Sequence, residues 1–346
     1  MTMRYKLFGR SGLRVSELCL GTMTFGTNWG WGSSRSECRA VFDAFVAAGG
    51  TFFDTAYMYT DGESERMLGE FIAADRSHFV LSTKYATMNK ADVTITGGSR
   101  KAMRHAVDES LRRLGTDYID LYWVHAWDPR TPVDELMRGL DDLVRAGKVL
   151  YVGVANAPAW QVSRANMMAD LHGWSPFAGI QTEYSLLERT AERELLPMAQ
   201  ELDLAVTAWS PLASGILSGK YDGAKATPGR RSAQPPNERE ITTAALVSGI
   251  AREIGAPASA VAIAALRHLW PGGLLIPVLG ARTVEQLREN MACLELTIPA
   301  QHLASLDNAT AVSRGSPHEM LDSEFMRRVL TGDCHDRLDS RRAGTS

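Results

Sequence analysis

Four side chains that can do acid–base chemistry lie at or just beyond the ends of three predicted strands. Asp54 ends a short apolar strand, and Tyr59 follows it by five residues in the next loop. Lys84 and His125 each follow a further apolar strand. If these strands are parallel neighbours, their carboxyl ends bring an acid, a phenol, an amine and an imidazole to one face. Each residue alone has an ordinary structural explanation, but together they predict an active site.

The elements that must hold these residues alternate regularly between strand and helix. Strands are predicted near residues 18–20, 52–54, 79–83, 119–124, 149–154, 179–181, 205–209 and 274–279. Helices are predicted near residues 34–48, 63–73, 99–114, 132–146, 159–169, 193–202, 242–254, 258–269, 283–291 and 300–312. This alternation favours a (β/α)₈ TIM barrel with an extra C-terminal helix. A doubly wound nucleotide-binding domain is the main alternative, but the sequence lacks its Gly-x-Gly-x-x-Gly turn.

The ends of the chain are predicted to differ from the repeat between them. Two short predicted strands, near residues 5–8 and 13–16, flank a Gly-rich turn and predict an N-terminal β-hairpin that plugs one end of the barrel. We expect one barrel domain over residues 1–335 and a flexible, charged tail over residues 336–346.

Composition restricts the classes of function. The 346-residue chain has a formal net charge of −3 and no basic stripe, so we expect no nucleic-acid partner. It has no run of about 18 apolar residues, so we expect no membrane span. Its four cysteines form no Cys-x-x-Cys pair, which argues against a metal site and for a reducing compartment. The predicted location is therefore cytoplasmic.

Short motifs that include the four acid–base residues occur in a fixed order along the chain. They are Gly21-Thr-Met, Phe53-Asp-Thr-Ala-x-x-Tyr59, Ser82-Thr-Lys84, Leu121-Tyr-x-x-His125, Gly153-Val-x-Asn156, Gln181-x-Glu-Tyr-Ser-Leu, Ser210-Pro-Leu-x-x-Gly-x-Leu217 and Gly280-Ala-Arg-x-x-x-Gln286-x-x-x-Asn290. From about Leu13 to Ala311 the chain resembles the aldo-keto reductases, in detail the bacterial branch related to potassium-channel β-subunits. The resemblance implies a barrel that transfers hydride reversibly between a nicotinamide cofactor and a carbonyl compound.

The resemblance matches Asp54, Tyr59, Lys84 and His125 to the catalytic tetrad of that family. Tyr59 is then the general acid and base, although the ordinary pKa of tyrosine is near 10. A nearby Lys84 ammonium favours the phenolate and lowers that pKa. Asp54 holds Lys84 in place and charged, and His125 donates a hydrogen bond to the substrate carbonyl oxygen.

The resemblance also implies that NADPH or NADP⁺ lies extended across the strand ends. The implied cofactor-binding residues are Gly21, Thr22, Met23, Asp54, Asn156, Gln181, Trp209, Ser210, Pro211, Leu212, Lys220, Arg230, Gly280, Arg282, Gln286 and Asn290. Arg282 lies at a helix start, where a guanidinium suits a 2′-phosphate, so we expect NADP rather than NAD. Ala155 departs from the family pattern, because many members have Ser before the Asn.

The substrate is expected to be a small carbonyl compound or alcohol. Candidate substrate-binding residues near the predicted mouth are Trp29, Trp31, Met58, Ala126 and Trp127. Aromatic walls suggest an apolar or bulky carbonyl compound, but these Trp residues could equally pack only against loops. The sequence leaves the physiological substrate and a homo-oligomer open.

Two other functions are compatible with parts of this pattern. A cofactor-sensing regulatory subunit with little turnover is one, but the channel-associated relatives tend to carry Asn at the position of His125. A Schiff-base aldolase could use Lys84 as a nucleophile. Asp54 beside Lys84 would keep that amine protonated, so the sequence favours a reductase over both.

Overall fold

The computed structural model describes residues 2–88, 90–220, 235–270 and 275–338. Its strands are β1 (Tyr5–Leu7), β2 (Arg14–Ser16), β3 (Cys19–Gly21), β4 (Phe52–Asp54), β5 (Val80–Tyr85), β6 (Ile119–Val124), β7 (Val149–Ala155), β8 (Phe177–Glu183), β9 (Ala205–Trp209) and β10 (Leu275–Leu279). Strands β3 to β10 run parallel and close into a barrel, in which β10 pairs with β3. The predicted (β/α)₈ barrel is therefore confirmed.

Helices alternate with the barrel strands. They are α1 (Arg35–Ala47), α2 (Glu63–Ile72), α3 (Arg100–Leu114), α4 (Val133–Arg145), α5 (Ala159–His172), α6 (Leu195–Glu201), α7 (Glu238–Ile254), α8 (Ala258–Leu269), α9 (Val284–Met291), α10 (Ala300–Thr310), α11 (His318–Leu321) and α12 (Glu324–Thr331). Within the described ranges no single helix is long and apolar enough to cross a membrane. Helices α7 and α8 meet that test only as a pair, and the pair is bent by 101°.

Capping residues set several of these boundaries. The Ser34 side chain accepts from the Glu37 backbone N–H at the start of α1, and Glu37 bonds back to Ser34. Asn237 and Glu240 form the same capping box on α7, which therefore begins four residues earlier than the predicted 242. Gly115 ends α3 in the left-handed conformation, at φ 63°, as the sequence predicted.

Alternation along the strands divides the barrel interior into two layers. Phe52 faces inward near the start of β4, and Asp54, two residues later, faces the same way. The lower layer is apolar and includes the buried Phe8, which follows β1. Its ring lies 5.9 Å from that of Phe52 and 6.1 Å from that of Trp123. Because the hairpin fills this end of the barrel, the polar and charged interior side chains lie at the other end, where the strands have their carboxyl ends.

The chain divides into two compact units, and the first ends at Thr310. The second begins at Ala311, and its described part contains the short helices α11 and α12. The single domain over residues 1–335 stays a prediction. The predicted flexible tail over residues 336–346 also stays a prediction, and residues 339–346 of it lie outside the described residues.

We expect Gly69→Ala to destabilise the barrel, because α2 and α3 are in close contact at this glycine. A Cβ at Gly69 would lie 2.2 Å from the backbone oxygen of Leu114, which cannot rotate away as a side chain could. Overpacking of this kind costs about 1–3 kcal/mol. The measurement is the free energy of unfolding in urea.

Gly249→Ala in α7 is the matched control for this substitution. Apart from the neighbouring backbone of α7 itself, a Cβ there would meet no atom of the described residues within 4 Å. Because alanine loses less backbone freedom than glycine when a helix forms, the free energy of unfolding of this variant should rise by about 0.5–1 kcal/mol. Equal unfolding free energies for the two variants would contradict close contact at Gly69.

Candidate active site

Three neighbouring strands hold the predicted acid–base residues at one end of the barrel. Asp54 ends β4 and is paired in register with Ser82 of β5. Lys84 lies inside β5, which extends two residues beyond the predicted 83, and is paired with Trp123 of β6. His125 directly follows β6. The strand ends therefore bring these side chains together, as the sequence predicted.

A buried ion pair forms the base of the site. Lys84 Nζ donates to Asp54 Oδ2 and to the Thr55 carbonyl oxygen, the latter at 2.8 Å. Lys84 and Asp54 are 0% and 2% exposed. Ser82 Oγ donates to the other carboxylate oxygen at 2.7 Å, and Gln181 Nε2 donates to it at 3.3 Å. Both buried charges thus have further hydrogen-bond partners besides each other.

The charge on Lys84 is stable despite its burial. Burial lowers the pKa of Lys84, but the Asp54 carboxylate and the Tyr59 oxygen outweigh it, so the pKa lies above its ordinary value. Lys84 is therefore a fixed cation at the base of the site, which argues against its use as a free-amine nucleophile.

Tyr59 lies directly above this cation. Lys84 Nζ donates to the Tyr59 hydroxyl oxygen at 3.4 Å. The chain after Tyr59 turns through three left-handed residues, namely Thr60 (φ 46°), Asp61 (φ 56°) and Gly62 (φ 84°). The buried Thr60 holds this turn, because its Oγ1 donates to a backbone carbonyl at 2.7 Å. Left-handed non-glycine residues carry backbone strain, and strained residues cluster at functional sites.

His125 provides a neutral imidazole beside Tyr59. The two rings lie 5.9 Å apart and meet edge to face. Burial, with the positive charge of Lys84, lowers the pKa of His125 to about 3. Thr87 Oγ1 lies 2.6 Å from His125 Nδ1, so that ring nitrogen is already hydrogen-bonded.

A cavity of about 500 Å³ opens above these residues. Most of the predicted site residues line it. These are Gly21, Met23, Trp31, Asp54, Met58, Tyr59, His125, Asn156, Gln181, Trp209, Ser210, Pro211, Leu212, Lys220, Gly280, Arg282, Gln286 and Asn290. Residues far apart in the sequence thus surround one space at the carboxyl ends of the strands.

Some of the predicted residues are not part of this lining. Thr22, Lys84, Trp29, Ala126 and Trp127 do not line the cavity, and Arg230 lies outside the described residues. Lys84 lies behind Tyr59. The buried Thr22 hydroxyl donates instead to the Asp54 carbonyl oxygen at 3.1 Å. Trp29 adjoins the site, since its ring lies 5.7 Å from Trp31 and 6.4 Å from Tyr59.

The far wall of the cavity carries amides and a guanidinium. Asn156 Nδ2 donates to the His125 carbonyl oxygen at 2.9 Å, and its Oδ1 accepts from Trp209 Nε1 at 3.1 Å. The Arg282 backbone N–H donates to Gln286 Oε1 at 3.0 Å. No carboxylate among the described residues forms an ion pair with the Arg282 guanidinium. That cation is therefore available to an anionic ligand.

Several lining residues were not predicted. They are Thr24, Ser214, Gly215, Ser218, Ser259, Ile263, Val278, Leu279, Ala281 and Glu289. Ser259 and Ile263 lie one turn apart on α8, for which the sequence predicted a helix but no role in the site. Ser82 could have been found, because residues two apart on a strand face the same way and Lys84 follows it by two. Nothing in the sequence indicated that Thr87 lies next to His125.

Comparison with known proteins agrees with this geometry. Residues 17–311 match the model of the aldo/keto reductase family. The chain is 38% identical to the norsolorinic acid reductase of Emericella nidulans, over 95% of this chain and 89% of that protein. It is 37% identical to an aryl-alcohol dehydrogenase of Pestalotiopsis microspora, over 92% of this chain and 85% of that protein. It is 34% identical to the aryl-alcohol dehydrogenase [NADP(+)] of Phanerodontia chrysosporium, over 89% and 86%. The chain therefore belongs to the aldo-keto reductase family.

Proposed function

We propose that this protein reduces aldehydes or ketones with NADPH and oxidises the corresponding alcohols in reverse, with Tyr59 as the general acid and base. The observation that carries the proposal is the position of the Lys84 ammonium. It bonds to the Asp54 carboxylate on one side and to the Tyr59 hydroxyl on the other, at the base of an open cavity. His125 lines the same cavity.

The residues around the cavity fit a phosphorylated nicotinamide dinucleotide. Asn156 and Gln181 provide amides for a carboxamide, next to the indole of Trp209. Serine hydroxyls and Lys220 suit a pyrophosphate, and Arg282 suits a 2′-phosphate. When bound, the cofactor supplies the hydride that adds to the carbonyl carbon. One relative, from Phanerodontia chrysosporium, carries NADP(+) in its name, which supports the same choice.

The residues of the chain would provide the proton and the electrostatic stabilisation. Tyr59 gives its hydroxyl proton to the carbonyl oxygen, and Lys84 stabilises the phenolate that remains. Asp54 keeps Lys84 charged and in place. The neutral His125 donates a hydrogen bond to the same oxygen, where negative charge develops. In alcohol oxidation the phenolate takes the proton back.

The substrate side supports a flat, apolar carbonyl compound. Trp31 and Met58 line the cavity, and Trp29 lies against both Trp31 and Tyr59. Aromatic side chains provide large apolar contact area for a planar ring. The relatives named as aryl-alcohol dehydrogenases support an aromatic substrate class. The cytoplasmic location and the absence of a nucleic-acid partner stay predictions from the sequence.

Tyr59→Phe should lower kcat by about 10²- to 10⁴-fold, because the variant has no proton to transfer. NADPH affinity should stay close to that of the wild type, since the proposed cofactor contacts lie elsewhere. Turnover is followed with a panel of aryl aldehydes and ketones at the absorbance band of reduced nicotinamide. NADPH binding is followed by quenching of protein fluorescence.

Tyr57→Phe is the matched control, two residues away. Its hydroxyl is buried and has no hydrogen-bond partner among the described residues. This variant should keep nearly all of its turnover. If Tyr59→Phe keeps half of the wild-type kcat, Tyr59 is not the proton donor.

Arg282→Ala should weaken NADPH binding by about tenfold or more, with little change for NADH. A hydrogen bond to a charged group contributes about 1.5–3 kcal/mol, and only NADPH has the 2′-phosphate. Arg288→Ala removes an exposed arginine from α9, the helix that follows Arg282, and should affect both cofactors little. If Arg282→Ala loses equal affinity for NADPH and for NADH, Arg282 does not bind the 2′-phosphate.

His125 should stay neutral from pH 5 to pH 8, because its pKa is lowered to about 3. NMR of the imidazole, assigned with a His125→Asn variant, should show no titration in this range. Below about pH 6.5 His125 is protonated in the unfolded chain but stays neutral in the folded protein. Protonation therefore favours the unfolded state, and the free energy of unfolding falls as the pH falls towards 3. A titration midpoint near 6.5 would contradict a neutral hydrogen-bond donor.

A further inference from the structure

Thr87 contacts the imidazole of His125 through its side-chain hydroxyl. Its Oγ1 lies 2.6 Å from His125 Nδ1. The residue before it, Ala86, has a φ of 82°, which is rare for a residue with a side chain. The Ala86 carbonyl oxygen accepts from the Gly97 backbone N–H at 3.2 Å. The chain thus leaves β5 through a strained residue that is held in place, and Thr87 follows it directly.

We propose that Thr87 is a positioning residue that fixes the tautomer of His125. Its hydroxyl donates to Nδ1, which leaves the single imidazole hydrogen on Nε2, directed at the substrate carbonyl oxygen. This inference rests on the proposed carbonyl reduction, since it assigns a role within that reaction.

The direction of the hydrogen bond follows from the groups present. A neutral imidazole has one N–H donor and one acceptor nitrogen. The Thr87 hydroxyl hydrogen has no acceptor other than Nδ1 among the described residues. If Nδ1 carried the hydrogen instead, the lone pair of Nε2 would face the carbonyl oxygen and repel it. Only donation by Thr87 gives His125 a hydrogen bond to offer the substrate.

Thr87 also limits rotation of the ring. The backbone of His125 is fixed, because its N–H donates to the Tyr85 carbonyl oxygen at 2.9 Å and its carbonyl accepts from Asn156 at 2.9 Å. For the ring itself, the bond to Thr87 is the only hydrogen bond among the described residues. Without that bond, the ring hydrogen can lie on either nitrogen and the ring can adopt other orientations.

The first test measures the tautomer directly and needs no turnover. Imidazole ¹⁵N shifts of His125 are compared in the wild type, Thr87→Val, Thr87→Ser and Thr94→Val. Thr94 lies in the same loop, and its exposed hydroxyl bonds to Asp92 Oδ1 at 2.8 Å, so Thr94→Val is the matched control. We expect hydrogen on Nε2 in the wild type, in Thr87→Ser and in Thr94→Val. Thr87→Val should populate the Nδ1–H form.

A wild-type protein with its hydrogen on Nδ1 would overturn the inference. So would a Thr87→Val variant with the same tautomer population as the wild type. These results stand apart from the proposed function, because they are read without substrate. If the wild type reduces no carbonyl compound in the panel, the proposed function fails while the tautomer assignment is still decided.

The second test separates positioning from folding. Thr87→Val should lower kcat by about 2- to 12-fold, the rate equivalent of one neutral hydrogen bond, with a smaller change in KM. Thr87→Ser should restore kcat, since it keeps the hydroxyl. A Thr87→Val variant with the kcat of Thr94→Val would overturn the positioning role.

Discussion

The buried ion pair between Asp54 and Lys84 is the interaction on which the rest of the site depends. Removing two charges from water costs several kcal/mol for each ion, and only good geometry with further hydrogen bonds offsets that cost. Here Ser82, Gln181 and the Thr55 carbonyl provide those bonds. The remaining direction of the ammonium is taken by Tyr59. The pair therefore fixes the Lys84 ammonium in a position to contact the phenol of Tyr59.

The barrel can hold this pair because its strands stack an apolar layer below a polar one. Phe52 and Asp54 face the same way in β4, as do Val80 and Lys84 in β5. Phe8 from the N-terminal hairpin closes the apolar layer from below. Water is thus kept from the lower side of the ion pair, and the low local polarity strengthens the interaction between its charges.

Backbone strain is concentrated around the same end of the barrel. Left-handed non-glycine residues occur after β4, β5, β7 and β9, including Thr60, Ala86, Asn156 and Ser210. Each lies close in sequence to a residue of the cavity wall or of the acid–base group. Strain of about 1–3 kcal/mol at each such residue persists only where surrounding contacts fix the backbone. The rigid barrel supplies those contacts and so determines the direction of the side chains.

The sequence alone determined the barrel, its strand ends and the acid–base residues at those ends. These features follow from local rules, because the period of apolar residues defines strands and parallel strands share one carboxyl end. The motif resemblance added most of the predicted cavity lining, including Arg282 and Asn290. Only the tertiary structure revealed Thr87, Ser259 and Ile263 as neighbours of the site. Their positions depend on the path of loops and on helix packing, which arise from contacts between distant residues and leave no period in the sequence.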